Sequence, residues 1–494
     1  MTTRSTPERL RAVDRAVDIE PLTIHPQILL PPGEPVRGVA AELYAEVAGG
    51  PIVSPHGHID AALLAQDTPF GDPAALLVTP DHYVTRLLHA HGVGLDELRP
   101  PADPRSIWRH LCEHWQLLSG TVVRLWTELT LHDVLGARVA PSAATADLLF
   151  DELSQRLALP ESRPRALYER FAIELLATTD DPADDLRHHR ALAADPGWSG
   201  RVIPTFRPDA YFDLARPGWP ARIERLAAAA DIAIDTYDDF VVALQRRRSV
   251  FAEHGATSSD HGVERLATER LEDRAARRIF AAALRGESGQ QDAAAFGAHM
   301  LDEMARMSCD DGLVMQLHPG VLRDHHGATL RGHGPNAGAD IPIRAEFTRA
   351  LRPLLERYGT HPRFRLVLFT IDETTFSREL APLAGFYPSV YVGAPWWFLD
   401  SPAGMLRFRR AVTDTVGFHR TAGFVDDARS LCSIPVRHDV ARRVDCAFLA
   451  ELVCEHRLAL GEAATVARDL AHDHVLQVFR LGGDISRSAH RTEA

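Results

Sequence analysis

Two histidines one residue apart, His56-Gly57-His58, follow the apolar run Pro51-Ile52-Val53. Successive side chains of a strand alternate faces, so residues i and i+2 point the same way. Two imidazoles side by side at a strand's end suit one divalent cation such as zinc. With 25 histidines in the chain, the plain alternative is a pair of unrelated loop residues. The metal chemistry open to the chain is narrowed by what it lacks. All 54 basic residues are arginine. This is most simply a compositional bias, but it removes Schiff-base and P-loop lysines. It also removes the lysine carbamate that could bridge two ions, so a metal at His56 and His58 is predicted to be a single one.

Composition bounds the rest. With 494 residues the chain is longer than an average domain, and a large barrel with insertions fits. Hydrophobic residues make up 45%, enough for a core. A net charge of -13 argues against a nucleic-acid partner. Cys112, Cys309, Cys432, Cys446 and Cys454 are scattered without CxxC spacing. Together with a charged N-terminus lacking an apolar signal core, they predict reduced thiols in the cytoplasm. No run of about 20 apolar residues predicts a membrane span.

The elements that must position the histidines read as follows. Residues 1–50 are a lead-in, with a helix from Val36 to Ala48 stopped at Gly49-Gly50. The histidine strand comes next. From about 61 to 170 the pattern is helical, with Asp81 capping a helix that begins His82-Tyr83 and with Trp108, Trp115 and Trp126 as core. This block is an insertion after the first strand. From about 171 to 490 apolar runs of strand length alternate with helices, and most runs end at once in a polar or aromatic residue. In a (β/α)8 barrel the working groups sit at the C-terminal ends of strands. Those ends supply His56, His58, Asp180, Arg207, His318, Trp396, Asp427 and Arg429. Each could also be an ordinary cap or loop residue. Asp427 could cap a short helix from Ala428 to Cys432, and Arg429 could pair with a surface acid.

These residues, in order, resemble the uronate (glucuronate) isomerases of the amidohydrolase superfamily. The resemblance spans roughly 25 to 485. It is carried by His56-Gly57-His58, Asp81-His82-Tyr83 with His91-Gly92-Val93, Thr178-Thr179-Asp180-Asp181-Pro182, Phe206-Arg207-Pro208-Asp209 and Ser259-Asp260-His261-Gly262. Met315-Gln316-Leu317-His318, Gly334-Pro335 with Gly338 and Asp340, Trp396-Trp397-Phe398, and Asp427-Ala428-Arg429-Ser430 with Arg437-His438 complete it. It implies a distorted (β/α)8 barrel with a helical insertion after the first strand. It also implies aldose–ketose exchange of a hexuronate, glucuronate with fructuronate or galacturonate with tagaturonate. By position, His56, His58 and Asp427 resemble a mononuclear metal site, usually zinc. His82, Tyr83, Arg207, His318 and Arg429 resemble pocket residues, and Trp396 and Trp397 are placed with them as substrate-binding.

The chemistry is consistent with those residue types. Moving a carbonyl from C1 to C2 needs a proton to leave C2 and one to reach C1, and the enediolate between them needs positive partners. Arginine holds a sugar carboxylate with a planar fork. Tyr83, Asp427 and His318 are candidates for proton transfer. The assignment preferred here has Tyr83 and Arg429 at the reacting carbons and Asp427 on the metal. Where the family has Cys between the histidines this chain has Gly57. Other departures are Thr370-Ile371-Asp372-Glu373-Thr374, Gly393-Ala394-Pro395, Trp126-Thr127-Glu128-Leu129-Thr130-Leu131, Asn336 and the stretch around His472-Asp473-His474. They bear on the substrate more than on the fold. The competing readings are a metal-dependent amidohydrolase or lactonase, a divergent isomerase of another sugar acid, and a non-catalytic sugar-acid binder. A small-molecule sugar acid is the expected partner, and a symmetric homo-oligomer the expected assembly.

Overall fold

Eight parallel segments form the frame of the protein in a computed structural model that describes residues 19–482. Seven are strands: β1 Ile52–Ser54, β2 Ile173–Ala177, β3 Arg201–Ile203, β4 Ser258–Val263, β5 Val314–Pro319, β6 Leu366–Leu368 and β7 Val390–Val392. β1, β2 and β3 pair in parallel, and so do β4, β5, β6 and β7. Phe206, just past β3, bridges the two groups by pairing with Asp180 and with Ser259. The eighth segment follows Thr421, which pairs with Val392. It runs without regular strand structure to Asp427. At the mouth it meets the first segment through the His58 N–H, which donates to the Ala428 carbonyl at 2.8 Å. The result is the distorted (β/α)8 barrel the sequence predicts. The reading of residues 1–18 and of 483–490 lies outside the described residues.

Alternation explains why these short strands suffice. Val53, Leu175, Ala177, Ile203, Val314, Val367, Phe369 and Val425 share one buried cluster with Val478, Phe479 and Leu481 from the C-terminal helix and the residues after it. Their neighbours Ile52, Ile173 and Leu176 face a second cluster built with the insertion helices. Met315, Leu317, Leu366 and Leu368 face a third, built with the outer helices. Strand residues of opposite parity therefore fill the barrel and its wrapping, as a two-residue period requires, except at Ile173, which pairs beside the register shift between Ile52 and Val53 and faces outward although Leu175 faces in.

Between β1 and β2 lie only helices, among them His82–Ala90, Pro104–Glu113, Val122–Leu129, Ala146–Leu157 and Pro164–Arg170. Trp108, Trp115 and Trp126 are buried there. Asp81 accepts from the Tyr83 N–H at 2.8 Å, the predicted N-cap. The lead-in helix is Val36–Val47. Among the described residues no helix is long and apolar enough to cross a membrane. The five cysteines are unpaired.

Candidate active site

The strand ends and the insertion helices close on one cavity. His56, His58, His82, Tyr83, Arg207, His318, Trp396, Trp397, Asp427 and Arg429 all line it. The sequence prediction therefore brought together residues up to about 370 positions apart, from His56 to Asp427. Asp180 is the exception. Its carboxylate accepts from Thr178 at 2.6 Å and from the Thr205 N–H at 3.3 Å, and burial raises its pKa to about 7. It belongs to the barrel wall, because the residues just past β2 turn their polar groups toward the segment that follows β3.

His56, His58 and Asp427 meet at the mouth. The Asp427 Oδ1 lies 3.5 Å from His56 Nε2 and 3.0 Å from His58 Nε2. It is buried, and no donor is aimed at it in hydrogen-bond geometry. Three potential ligand atoms within 4.8 Å of one another, two imidazole nitrogens and one carboxylate oxygen, fit a single divalent cation. The other oxygen, Oδ2, accepts from the Trp396 indole at 2.6 Å. Trp396 thus orients the Asp427 carboxylate, a task its strand-end position alone did not disclose. Asp427 is not a helix cap. It has φ 45°, and the helical turn that follows begins at Leu431.

That left-handed residue is braced from behind, a conformation Asp tolerates better than most residues. Asp426 accepts from the Ala428 N–H at 3.0 Å, and its other oxygen pairs with His438 Nε2 at 3.0 Å. Gly57 fits the same brace. A Cβ there would meet Ala428 and Asp426 at ordinary van der Waals distances of 3.4 to 3.7 Å, so the departure from Cys leaves His56, His58 and Asp427 untouched. We expect Asp426→Ala to weaken metal binding about 10- to 100-fold, as loss of a group that orients a ligand does, and to cost about 1–3 kcal/mol by leaving a buried N–H and an imidazole unpaired. Competition with a metal chelator and a denaturant titration measure the two effects.

Deeper in the cavity sits a charge network that strand-end reasoning only half reached. Arg207 Nε meets Asp209 at 3.0 Å and its Nη1 meets Asp260 at 3.0 Å. Asp260, with no exposed surface, also binds His318 Nδ1 at 2.7 Å. Burial opposes the Asp260 charge, but Arg207 and His318 hold its pKa well below the usual range. Two faces of Arg207 are therefore occupied, which leaves mainly Nη2, packed over Gly262 where a Cβ would come to 2.6 Å, for a substrate. His318 keeps Nε2 free of partners and stacks between His56 and Phe369, at 4.8 and 4.1 Å. Asp260 was missed as a site residue because β4 reads Ser-Ser-Asp-His-Gly-Val, with no apolar run to mark it as a strand.

Arg429 stands apart. Among the described residues no carboxylate lies within ion-pair distance of it, so the alternative of a surface ion pair is not realised, and the residue, partly open to solvent, lines the cavity. Burial, then Arg429, pushes the pKa of His82 down to about 3, so His82 is neutral at physiological pH. His82 contacts Trp397 edge-on at 4.9 Å, and Arg323 lies 5.1 Å from the Trp397 ring. Tyr83 reaches the cavity from the first turn of its helix, with its hydroxyl bound to Asp400 and to the backbone N–H of Phe398.

Residues 36–479 match the family model for glucuronate isomerase. The chain belongs to the glucuronate isomerase family. This isomerase is 52% identical to a uronate isomerase of Rhizorhabdus wittichii, over 93% of the chain and 99% of that relative. It is 48% identical to one of Xanthomonas axonopodis pv. citri, with the same coverage of each. Among solved structures, glucuronate isomerase from Caulobacter crescentus superposes with a TM-score of 0.92 at 46% identity, covering 94% of this chain and 98% of the other. Uronate isomerase from Thermotoga maritima gives 0.87 at 29% identity, covering 92% and 99%. The protein is thus an aldose–ketose isomerase of uronates.

Proposed function

We propose that this isomerase exchanges D-glucuronate with D-fructuronate, or D-galacturonate with D-tagaturonate, through an enediolate, with one divalent ion, zinc, held by His56, His58 and Asp427. The observation that carries the reading is the joint presence, lining one cavity, of a two-histidine, one-carboxylate set and a guanidinium, Arg429, that has no carboxylate within ion-pair distance among the described residues. A cation left unpaired beside a metal ligand set calls for an anionic ligand, and a sugar acid brings one. Bound there, the ion supplies a positive charge and Lewis acidity for sugar oxygens.

The chain's own groups divide the remaining work. Arg429 faces the charge that develops on O1 and O2. Tyr83 stands at the reacting carbons as the proton carrier. Neutral His82 and the free Nε2 of His318 offer hydrogen bonds to hydroxyls without adding charge. Trp396, Trp397 and Trp126 form apolar walls that keep water from the enediolate. The reading as hydrolase is disfavoured by the same arginine, which neither a neutral amide nor a neutral lactone would use.

An NMR assay of a hexuronate panel tests this, run on the protein as purified, after chelation, and after zinc is restored. We expect turnover of at least one hexuronate, a fall of at least about 100-fold on chelation, and recovery with zinc. Hydrolysis of a lactone or amide without turnover of any hexuronate would sink the proposal.

A further inference from the structure

Three elements meet at one phenol oxygen. Tyr83 Oη donates to Asp400 Oδ1 at 3.0 Å and accepts from the Phe398 N–H at 2.8 Å. The second Asp400 oxygen meets Arg437 Nη1 at 3.0 Å. Arg437 lies 3.9 Å over the Trp126 ring and donates to the Asp426 carbonyl at 3.3 Å. Asp400 is 7% exposed, yet it lines the cavity together with Tyr83. Phe398 presents its N–H from a left-handed backbone, φ 63°, which costs a bulky residue energy and persists only where surroundings impose it. Asp81, the carboxylate that caps the tyrosine's helix, is the other charged group near Asp400.

Alone, this phenol is poorly suited to moving protons. Its ordinary pKa is about 10, and burial followed by the Asp400 carboxylate pushes it higher. Its proton is engaged, and one lone pair is taken by Phe398. A carboxylate held in line with the phenol proton changes what the group can do, because the phenol can accept one proton while passing on another.

We propose that Asp400 is the proton acceptor behind Tyr83, a positioning and relay partner that makes the tyrosine competent, on the reading that the protein is a hexuronate isomerase. The C2–H bond breaks and its electron pair becomes the C1=C2 bond, while the C1=O pair becomes the enediolate charge on O1. Tyr83 Oη takes the C2 proton as its own proton crosses to Asp400 Oδ1. The O2 proton moves to O1 across the cis-enediolate. The carbonyl then forms at C2, Tyr83 delivers a proton to C1, and Asp400 returns the one it held. One hydrogen has gone from C2 to C1 and one from O2 to O1, with no other reactant. The negative charge passes from Asp400 to the sugar, where Arg429 faces it, while Arg437 stays charged throughout.

Asp400→Asn tests the relay, since an amide oxygen still accepts from the phenol but takes no proton. With the wild type first shown to convert a hexuronate, we expect kcat to fall at least about 100-fold, KM to stay within about threefold, and the isotope effect with C2-deuterated substrate to rise. Asp400→Glu restores a carboxylate and should regain at least tenfold over the Asn variant. Tyr83→Phe should lose at least as much as Asp400→Asn, and the double variant no more than Tyr83→Phe alone, because members of one relay are not additive. If Asp400→Asn does not fold, the Glu and Phe variants carry the test. A kcat within threefold of wild type in a folded Asn variant overturns the inference, as does a Tyr83→Phe enzyme of near-normal kcat. Failure of the wild type on every hexuronate overturns the isomerase reading instead.

Discussion

Asp427→Asn is expected to bind its metal at least about 100 times more weakly than the native protein and to lose at least about three orders of magnitude in kcat/KM. The carboxylate is the one anion among the three ligand atoms. Removing a unit charge next to a cation forfeits about 4 kcal/mol even at a screened effective dielectric, close to a factor of 10³. Loss of a mere orienting neighbour already costs 10- to 100-fold, so loss of the ligand itself should cost no less. The shape is preserved. An asparagine oxygen can still accept from the Trp396 indole, which now reaches Oδ2 at 2.6 Å, and its amide then turns toward His56 and His58. The metal-free variant should therefore melt close to the metal-free native protein, and only the rise in Tm on adding zinc should disappear. Chelator competition, a coupled isomerase assay and paired melts separate these effects. Metal affinity within threefold of native would remove Asp427 from the ligand set.

The same residue shows what sequence could and could not disclose. His56 and His58 were legible because an i, i+2 pair after an apolar run needs only strand geometry. Asp427 and Arg429 were legible because the last apolar run ends in a burst of polar residues. Trp396 was legible as a strand-end residue, but its bond to Asp427 was not, because nothing local in Gly393-Ala394-Pro395 points the indole across the barrel. β4 was read only through its motif. Its buried residues Ser259, Asp260 and His261 serve the charge network and not the apolar core, so the hydrophobic period that marks a strand is absent. The roles of Asp400, Arg437 and Asp426 lie beyond sequence reasoning for a related reason, although Arg437 was marked as part of a motif. Each works through a partner at least 11 residues away, Tyr83, Asp400 and His438 among them, and pairing of that kind is fixed by tertiary packing. Asp180 erred the other way, since a strand-end position gives a site only half its meaning until the side chain's direction is known.

Arg429→Met separates function from folding more cleanly than any other substitution in the cavity. Arg207 ties together Asp209 and Asp260, and Arg437 is locked to Asp400, so removing either leaves a buried carboxylate without its cation, at several kcal/mol. Arg429 has no such debt among the described residues. The residue is partly open to solvent and lines the cavity, and methionine keeps much of its unbranched stem. The variant should therefore unfold within about 0.5 kcal/mol of the native protein. Its activity should nevertheless fall about 10²- to 10³-fold in kcat, the range seen when one preorganised donor to a developing oxyanion is lost. The loss should fall mainly on kcat if Arg429 serves the enediolate, because that charge exists only along the reaction path. It should fall mainly on KM if Arg429 holds the sugar carboxylate, whose charge is the same in the ground and transition states. Arg429→Lys discriminates further. A point charge without the planar fork restores a field on the enediolate better than it restores a bidentate grip on a carboxylate. A methionine variant with native kcat and KM would remove Arg429 from the chemistry and leave the guanidinium without the role argued for it.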